Sequence, residues 1–505
     1  MIDEARRRLA AADPADPDAA FAAAAAALRA GLEDEAVPLL QRALKAQPQV
    51  ARLWQMLGLA WRGLDELAAS VPTLEYAARL GANDALIAHA HARAAMEAGL
   101  PAVALFDRAR RLAPADLSIL QGRAAALLAE GRLDQAIADL DAELAARPDW
   151  LAGHAGAARL RWMRGERDGF TQSFERALAL RPGDHALWAE RIDTLMHAEL
   201  YEQALAAIAA ARAATGAIGA FDALEAVAYA ERGETATADR LFARLGPPRH
   251  ISLVVRLVRH LLRSGRPDQA AALAEAHVGG EGGDALWPYL SAAWRLTGDT
   301  ARWEWLEGDP SFVGIYDLAE RLGPLDALAA RLRALHLSTH QPLEQSVRGG
   351  TQTDGPLFAR LEPEIRALRQ AVAETVAEHI AQLPPPRADH PLLRVPRRGR
   401  IRFSGSWSVR LTGGGRHTNH IHPAGWFSSA LYVALPPEEQ RGPAPAGWLT
   451  LGEATELGLD LPPFRTVEPK PGRLVLFPST MWHGTRPFEA GERLTVAFDV
   501  APLTG

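Results

Sequence analysis

A spacing of 33 or 34 residues separates Pro48, Gly81, Pro114, Pro148 and Pro182, each placed directly after a segment with helical apolar periodicity. A second marker, Gly followed five residues later by Ala, recurs at Gly31/Ala36, Gly63/Ala68, Gly99/Ala104, Gly131/Ala136, Gly233/Ala238 and Gly265/Ala270. Glu199/Ala204 fills one gap and a degenerate Gly165/Phe170 another, so that steps of 32 to 36 residues join all eight markers. An ordinary helical bundle requires no such period. A stack of helix pairs does, because each pair leaves one apolar face that only the next pair covers. The small Gly and Ala positions are expected to let the two helices of a pair approach closely. Residues 16 to about 330 then hold eight or nine pairs, blurring after Gly265 where Trp287, Trp294, Trp303 and Trp305 break the rhythm.

Trp54-Gln-Met-Leu57-Gly58-Leu-Ala-Trp61 carries the sharpest form of the pattern. It resembles the tetratricopeptide repeat, whose first helix reads Trp-x2-Leu-Gly-x2-Tyr. The resemblance implies an α-solenoid over residues 1–335 that has no chemistry of its own and holds a peptide or protein partner on its concave face.

Composition narrows the rest. A length of 505 residues exceeds what one core organises, so more than one domain is expected. With 55 Lys and Arg against 61 Asp and Glu, the net charge of −6 offers no case for a nucleic-acid partner. Cysteine is absent, so any metal must be held by His, Asp or Glu. The N-terminus turns charged at once, without the apolar core of a secretion signal, and no apolar run is long enough to span a bilayer. A cytoplasmic protein without membrane contact is expected.

Residues 336–399 read as a linker loop and a bridging helix. The polar, glycine-bearing stretch 339–355 is expected to be a loop, with Gly350 to Thr353 in a packing role. Leu361 to Leu383 reads as one amphipathic helix through Ile365, Leu368, Val372, Val376 and Ile380, stopped by Pro384-Pro385-Pro386. Arg394, Arg397, Arg398, Arg400 and Arg402 follow and read as a solvated strand edge. From residue 400 to 505 the apolar period becomes two. Trp407, Val409 and Leu411 alternate with Ser408 and Arg410, and short apolar runs at 431–435, 474–477 and 494–500 are separated by Gly and Pro clusters, as in a sandwich or jelly roll. The fold class is therefore multidomain α + β, an α-solenoid followed by a jelly roll.

Arg416-His417-Thr-Asn-His420-Ile-His422-Pro423 stands where a strand meets a loop. His420 and His422, two apart, share a face and can offer ring nitrogens to one ion, whereas His417, three away, should face elsewhere. His483 follows the strongest apolar strand of this region, and a jelly roll gathers such strand ends at one mouth. Arg493 and Thr495 share one face of the last strand. An inward Arg needs an internal carboxylate, which the nearby Asp499 could supply, or an anionic ligand.

Together with Gln345–Thr353, Ser406–Leu411, Gly425–Ser429, Leu476–Ser479 and Trp482–Thr485, these motifs over 340–503 are similar to a 2-oxoglutarate/Fe(II)-dependent oxygenase domain attached to tetratricopeptide repeats. The resemblance implies a double-stranded β-helix in which His420, His422 and His483 hold Fe(II). It further implies that Arg493 and Thr495 bind the distal carboxylate of 2-oxoglutarate, with Tyr432 where related folds place a cosubstrate-contacting tyrosine. Arg410 and Trp426 are expected toward a substrate, although Arg410 equally suits a surface cross-strand pair, and aromatic side chains such as Trp407, Trp426 and Trp482 are more often core in a small β-domain. The implied activity is dioxygenation, hydroxylating a protein or peptide side chain recruited by the repeats. The chain departs from the common His-x-Asp…His pattern, with His422 at the acidic position; three imidazoles also suit zinc or copper. A scaffold retaining a vestigial metal-binding jelly roll, and a cupin-like dioxygenase that needs no cosubstrate, are the competing readings.

Overall fold

A computed structural model describes residues 2–216, 219–343, 345–397 and 399–502. Arg398 of the basic run lies outside the described residues. Residues up to Asp139 together with Asp354–Gln370 make one compact unit, and Leu140–Thr353 with the residues from Ala371 onward make another.

Eight antiparallel helix pairs run from Pro17 to His277 among the described residues. The recurrent prolines end the second helix of a pair, and after Pro114 and Pro182 an Asp two residues later caps the next. Asp116 accepts from Ser118 N at 2.9 Å, and Asp184 from Ala186 N at 3.1 Å and Leu187 N at 3.2 Å. A ring nitrogen six residues beyond the proline ties the turn down: Trp54 Nε1 donates to the Pro48 carbonyl at 2.8 Å and Trp188 Nε1 to the Pro182 carbonyl at 2.9 Å.

Four of the marker glycines, Gly31, Gly131, Gly233 and Gly265, act differently from the expectation, whereas a Cβ on Gly63 would stand 2.8 Å from Glu33 Cγ. Gly31 and Gly131 lie in the turns between paired helices at φ of 73° and 74°, and a Cβ there would touch nothing within 4 Å. They are kept for left-handed backbone, not for close approach. Close approach also belongs to Gly58, whose Cβ would stand 2.4 Å from Leu74 Cγ.

In the first unit, the segment after residue 353 is docked rather than free. Ala359 and Leu361 join Leu67, Val71 and Leu74 in one apolar cluster, and Leu361 N donates to the Ala98 carbonyl at 3.1 Å. The amphipathic helix spans Pro363–Gln382, and Ile365, Leu368, Val372 and Val376 along it are fully buried.

In the second unit nine strands follow the repeats among the described residues: β1 Gly314–Asp317, β2 Val347–Gln352, β3 Phe403–His417, β4 Phe427–Ala434, β5 Leu449–Leu451, β6 Arg465–Val467, β7 Arg473–Pro478, β8 His483–Thr485 and β9 Glu492–Val500. They form an antiparallel six-stranded sheet, ordered β1-β7-β4-β9-β3-β2, and a three-stranded sheet, ordered β6-β5-β8. This is the jelly-roll architecture. Two strands come from before residue 400. β1 arises in the stretch assigned to the solenoid, and β2 in the stretch expected to be a loop. The glycines that suggested a loop let β2 lie against β3, since a Cβ on Gly350 would meet the Arg410 carbonyl at 2.3 Å.

Where the repeat rhythm breaks, the last helices share one apolar cluster with Ala454, Leu457, Leu461 and Trp482 of the β-domain. Trp482 Nε1 donates to the Pro288 carbonyl at 3.0 Å, and the Trp303 and Phe464 rings meet edge to face at 5.4 Å. From the basic run, Arg394 pairs with Asp284 and Arg397 donates to the Leu383 carbonyl at 3.0 Å. Among the described residues no helix is long and apolar enough to cross a membrane.

Candidate metal centre

Main-chain pairing brings the three histidines together. His420 and His483 exchange two backbone hydrogen bonds, of 2.9 and 3.0 Å, as an isolated antiparallel bridge, and His422 N donates to the Ser479 carbonyl at 2.9 Å. One ring nitrogen from each of His420, His422 and His483 falls within 4.8 Å of the others.

Each ring is oriented through its far nitrogen. Nδ1 lies 2.8 Å from the Thr418 carbonyl in His420, 2.9 Å from the Met481 carbonyl in His483 and 2.7 Å from Asp499 Oδ2 in His422. All three acceptors call for a proton on Nδ1, which leaves the Nε2 lone pairs for an ion. Burial holds His420 and His483 well below the usual imidazole range, so both rings stay neutral and able to ligate. Ser346 Oγ lies 3.2 Å from His420 Nε2 and 3.0 Å from His417 Nδ1; a hydroxyl rotor can turn its hydrogen away when an ion takes the lone pair.

The inner face of β9 runs through Arg493, Thr495, Ala497 and Asp499, all lining one cavity with the three histidines. At its far end Arg493 is 2% exposed. Its Nη1 donates to the Gly447 carbonyl at 3.0 Å, its guanidinium lies 5.0 Å from the Tyr432 ring centroid, and its Nε has no partner. No carboxylate pairs with it among the described residues, and the fully buried Tyr432 hydroxyl is also without a partner. Burial pulls the Arg493 pKa down and pushes that of Tyr432 up. A buried cation with an unmet donor, beside an unmet hydroxyl, fits an anionic ligand. Three imidazoles with their Nε2 atoms turned to one point fit a divalent metal.

Residues 405–499 match the family model described as “Putative 2OG-Fe(II) oxygenase”. Over these residues the chain is similar to a 2OG-Fe(II) oxygenase domain. That family implies Fe(II) and 2-oxoglutarate as its cofactors, and the domain follows a tetratricopeptide-like repeat array. No curated protein matches the chain. Among solved structures, a Pseudomonas putida prolyl-4-hydroxylase shares 17% identity over 38% of this chain and 94% of its own, at a TM-score of 0.27. TTC0263, a thermophilic TPR protein of Thermus thermophilus, shares 19% over 35% of this chain and 97% of its own, at 0.27. YrrB, a TPR protein with an unusual peptide-binding site, shares 16% over 34% of this chain and 90% of its own, at 0.28. Scores this low leave the fold to be read from the chain's own geometry.

Several residues of the oxygenase domain stand away from their expected places. Asp499 serves His422 instead of Arg493: both carboxyl-bearing and cationic residues face inward, but six residues of strand put them about 20 Å apart. Arg410 points away from the cavity and pairs with Glu492 at 2.5 Å, a surface cross-strand contact. Trp426 is 3% exposed, gives its indole N–H to the Leu392 carbonyl at 3.0 Å, and lines a different cavity from the histidines. His417 does line the histidine cavity, because the bend at Thr418–Asn419 resets the two-residue alternation; burial and the nearby Arg493 charge bring its pKa down to about 3. Trp407, assigned to either core or mouth, stacks on His422 at 5.7 Å. Ser346 carried no signal by spacing.

Proposed function

We propose that the chain is a 2-oxoglutarate- and Fe(II)-dependent dioxygenase that hydroxylates a protein or peptide side chain, with His420, His422 and His483 as the iron ligands. The observation that carries this reading is the buried guanidinium of Arg493, without a carboxylate partner and with its Nε unmet, in the same cavity as three oriented imidazoles. A vestigial scaffold has no need of a buried cation that costs stability while unpaired. Bound iron would supply oxygen activation, the net conversion being C–H plus O2 plus 2-oxoglutarate to C–OH plus succinate plus CO2, with one oxygen atom in each of the two organic products.

The chain's own residues do the rest. Thr418, Met481 and Asp499 keep the imidazoles protonated on Nδ1 and aimed inward. Arg493 and the Tyr432 hydroxyl offer donors to the distal carboxylate of 2-oxoglutarate, and Thr495, on the same face of β9, adds a hydroxyl. The closed, buried end around Arg493 excludes water from that ion pair, which strengthens it.

The test is succinate release under 18O2 in the presence of Fe(II) and 2-oxoglutarate, with His420→Ala as the comparison. Labelled succinate from the wild type and none from the variant is expected. No succinate from iron-loaded wild type would leave the scaffold reading, and oxygen uptake indifferent to 2-oxoglutarate would favour the cupin-like one.

A further inference from the structure

A second cavity, of about 520 Å³, opens to solvent on the other side of the histidines. His420, His422, Gln345 and Ser346 line both spaces, so they form a shared wall between the anion site and this vestibule. The opposite wall belongs to the repeats: Trp162 from the helix Leu151–Arg164, His197 from the helix His185–His197, and the turn residues Ala198 and Glu199.

Glu199 is one of two non-glycine residues in left-handed backbone among the described residues, the other being Asp65 at φ 58° in an earlier turn. Glu199 occupies the turn position that glycine holds at Gly131 and Gly233, with a left-handed φ of 61°. A side chain in that conformation is strained, and such strain persists where the side chain has a use. Its carboxylate, 60% exposed, takes Arg348 Nη2 of β2 at 2.8 Å across the mouth. The sixth repeat pair thus reaches the strand that borders the histidines. Trp162 offers an aromatic face there, with the Arg167 guanidinium 3.7 Å from its ring centroid.

We propose that this vestibule is the substrate site and that it takes an extended polypeptide segment, the repeats supplying one wall and β2 with Gln341, Gln345 and Ser346 the other. The proposal rests on the dioxygenase reading and deepens it by naming where the substrate lies. Small-molecule pockets are lined mainly by apolar side chains. This one presents amides at Gln341 and Gln345, a carboxylate at Glu199 and a guanidinium at Arg348, which suit main-chain amides and carbonyls along a chain. The target side chain projects toward His420 and His422, and the cosubstrate reaches the same wall from the Arg493 side.

The probes are two proteolytic digests of a cell proteome, made with different proteases and incubated with iron, 2-oxoglutarate and the full chain. Two variants address the vestibule: Ala198→Trp fills it, and Glu199→Gly removes the carboxylate while installing the residue the other turns use. Co(II) affinity of the histidine cluster is measured alongside. The wild type is expected to add one oxygen atom to a defined set of peptides, and both variants to lower the yield of those peptides by about tenfold or more without weakening Co(II) binding. Wild-type yields from both variants would overturn the proposal. A wild type that releases succinate but oxygenates no peptide would overturn the polypeptide class, whereas one that releases no succinate would overturn the dioxygenase reading beneath it.

Discussion

Asp499 Oδ2 stands 2.7 Å from His422 Nδ1, and its other oxygen accepts from Ser428 Oγ at 2.6 Å. The carboxylate that most related sites place on the metal is here one residue further out. It fixes the proton of the ring at the acidic position and returns part of the negative charge that a third imidazole removes. Asp499→Ala is expected to weaken Co(II) binding by about 10–100-fold, and Asp499→Asn by less, since an amide oxygen still accepts from Nδ1–H. Competition titration with a chromophoric chelator measures both. Equal affinity in the Ala variant would show that Asp499 does not position the ring.

Arg493 should reveal its purpose through opposite effects on ligand and fold. Arg493→Met removes the donors for an anion, so 2-oxoglutarate affinity falls steeply. The same change removes a buried, carboxylate-free charge, and the ligand-free protein is expected to be as stable as the wild type or more so, by about 1–3 kcal/mol. Denaturant unfolding without cosubstrate reads the second effect. A clear loss of stability would mean that the guanidinium is a structural strut.

Glu307, buried among the tryptophans, accepts from Ser291 Oγ at 2.5 Å, and burial raises its pKa to about 6. Because the folded-state value lies above the unfolded one, its contribution is fully present below about pH 4.5 and is lost as pH rises through about 6. That change amounts to about 2 kcal/mol. Unfolding midpoints of wild type and Glu307→Gln across this range should converge on the acid side and separate toward neutrality, the variant being the more stable. Parallel profiles would contradict the assignment.

Gly58→Ala should destabilise the pair Ala51–Gly63 and Leu67–Leu80 by about 1–3 kcal/mol through overpacking against Leu74. Gly131→Ala meets no atom and should cost only about 1 kcal/mol, from left-handed backbone alone. Thermal unfolding of the two variants separates the causes; equal losses would show that Leu74 yields to the added methyl.

The repeat architecture is legible because prolines, capping aspartates and turn glycines are local signals repeated many times. The convergence of His420 and His422 is legible for the same reason, since two-residue alternation needs no distant information. His417 escapes that logic because a single bend breaks the alternation, and nothing in the residues 417–420 marks it. Arg493 and Asp499 share a face by alternation, yet strand length separates them, a distance argument available from spacing alone. β1 and β2 are invisible because short edge strands gain their structure from a partner far along the chain rather than from their own composition. The vestibule depends on how one repeat turn meets one strand, a tertiary relationship that no window of sequence contains.

The most direct measurement is an anaerobic titration of 2-oxoglutarate into the Fe(II)-loaded chain, with His483→Ala and Arg493→Met beside the wild type. One saturable equivalent that requires both the metal and Arg493 is the predicted result. Absent binding, or binding that ignores either substitution, would contradict the assignment of a buried guanidinium and three imidazoles to one catalytic centre.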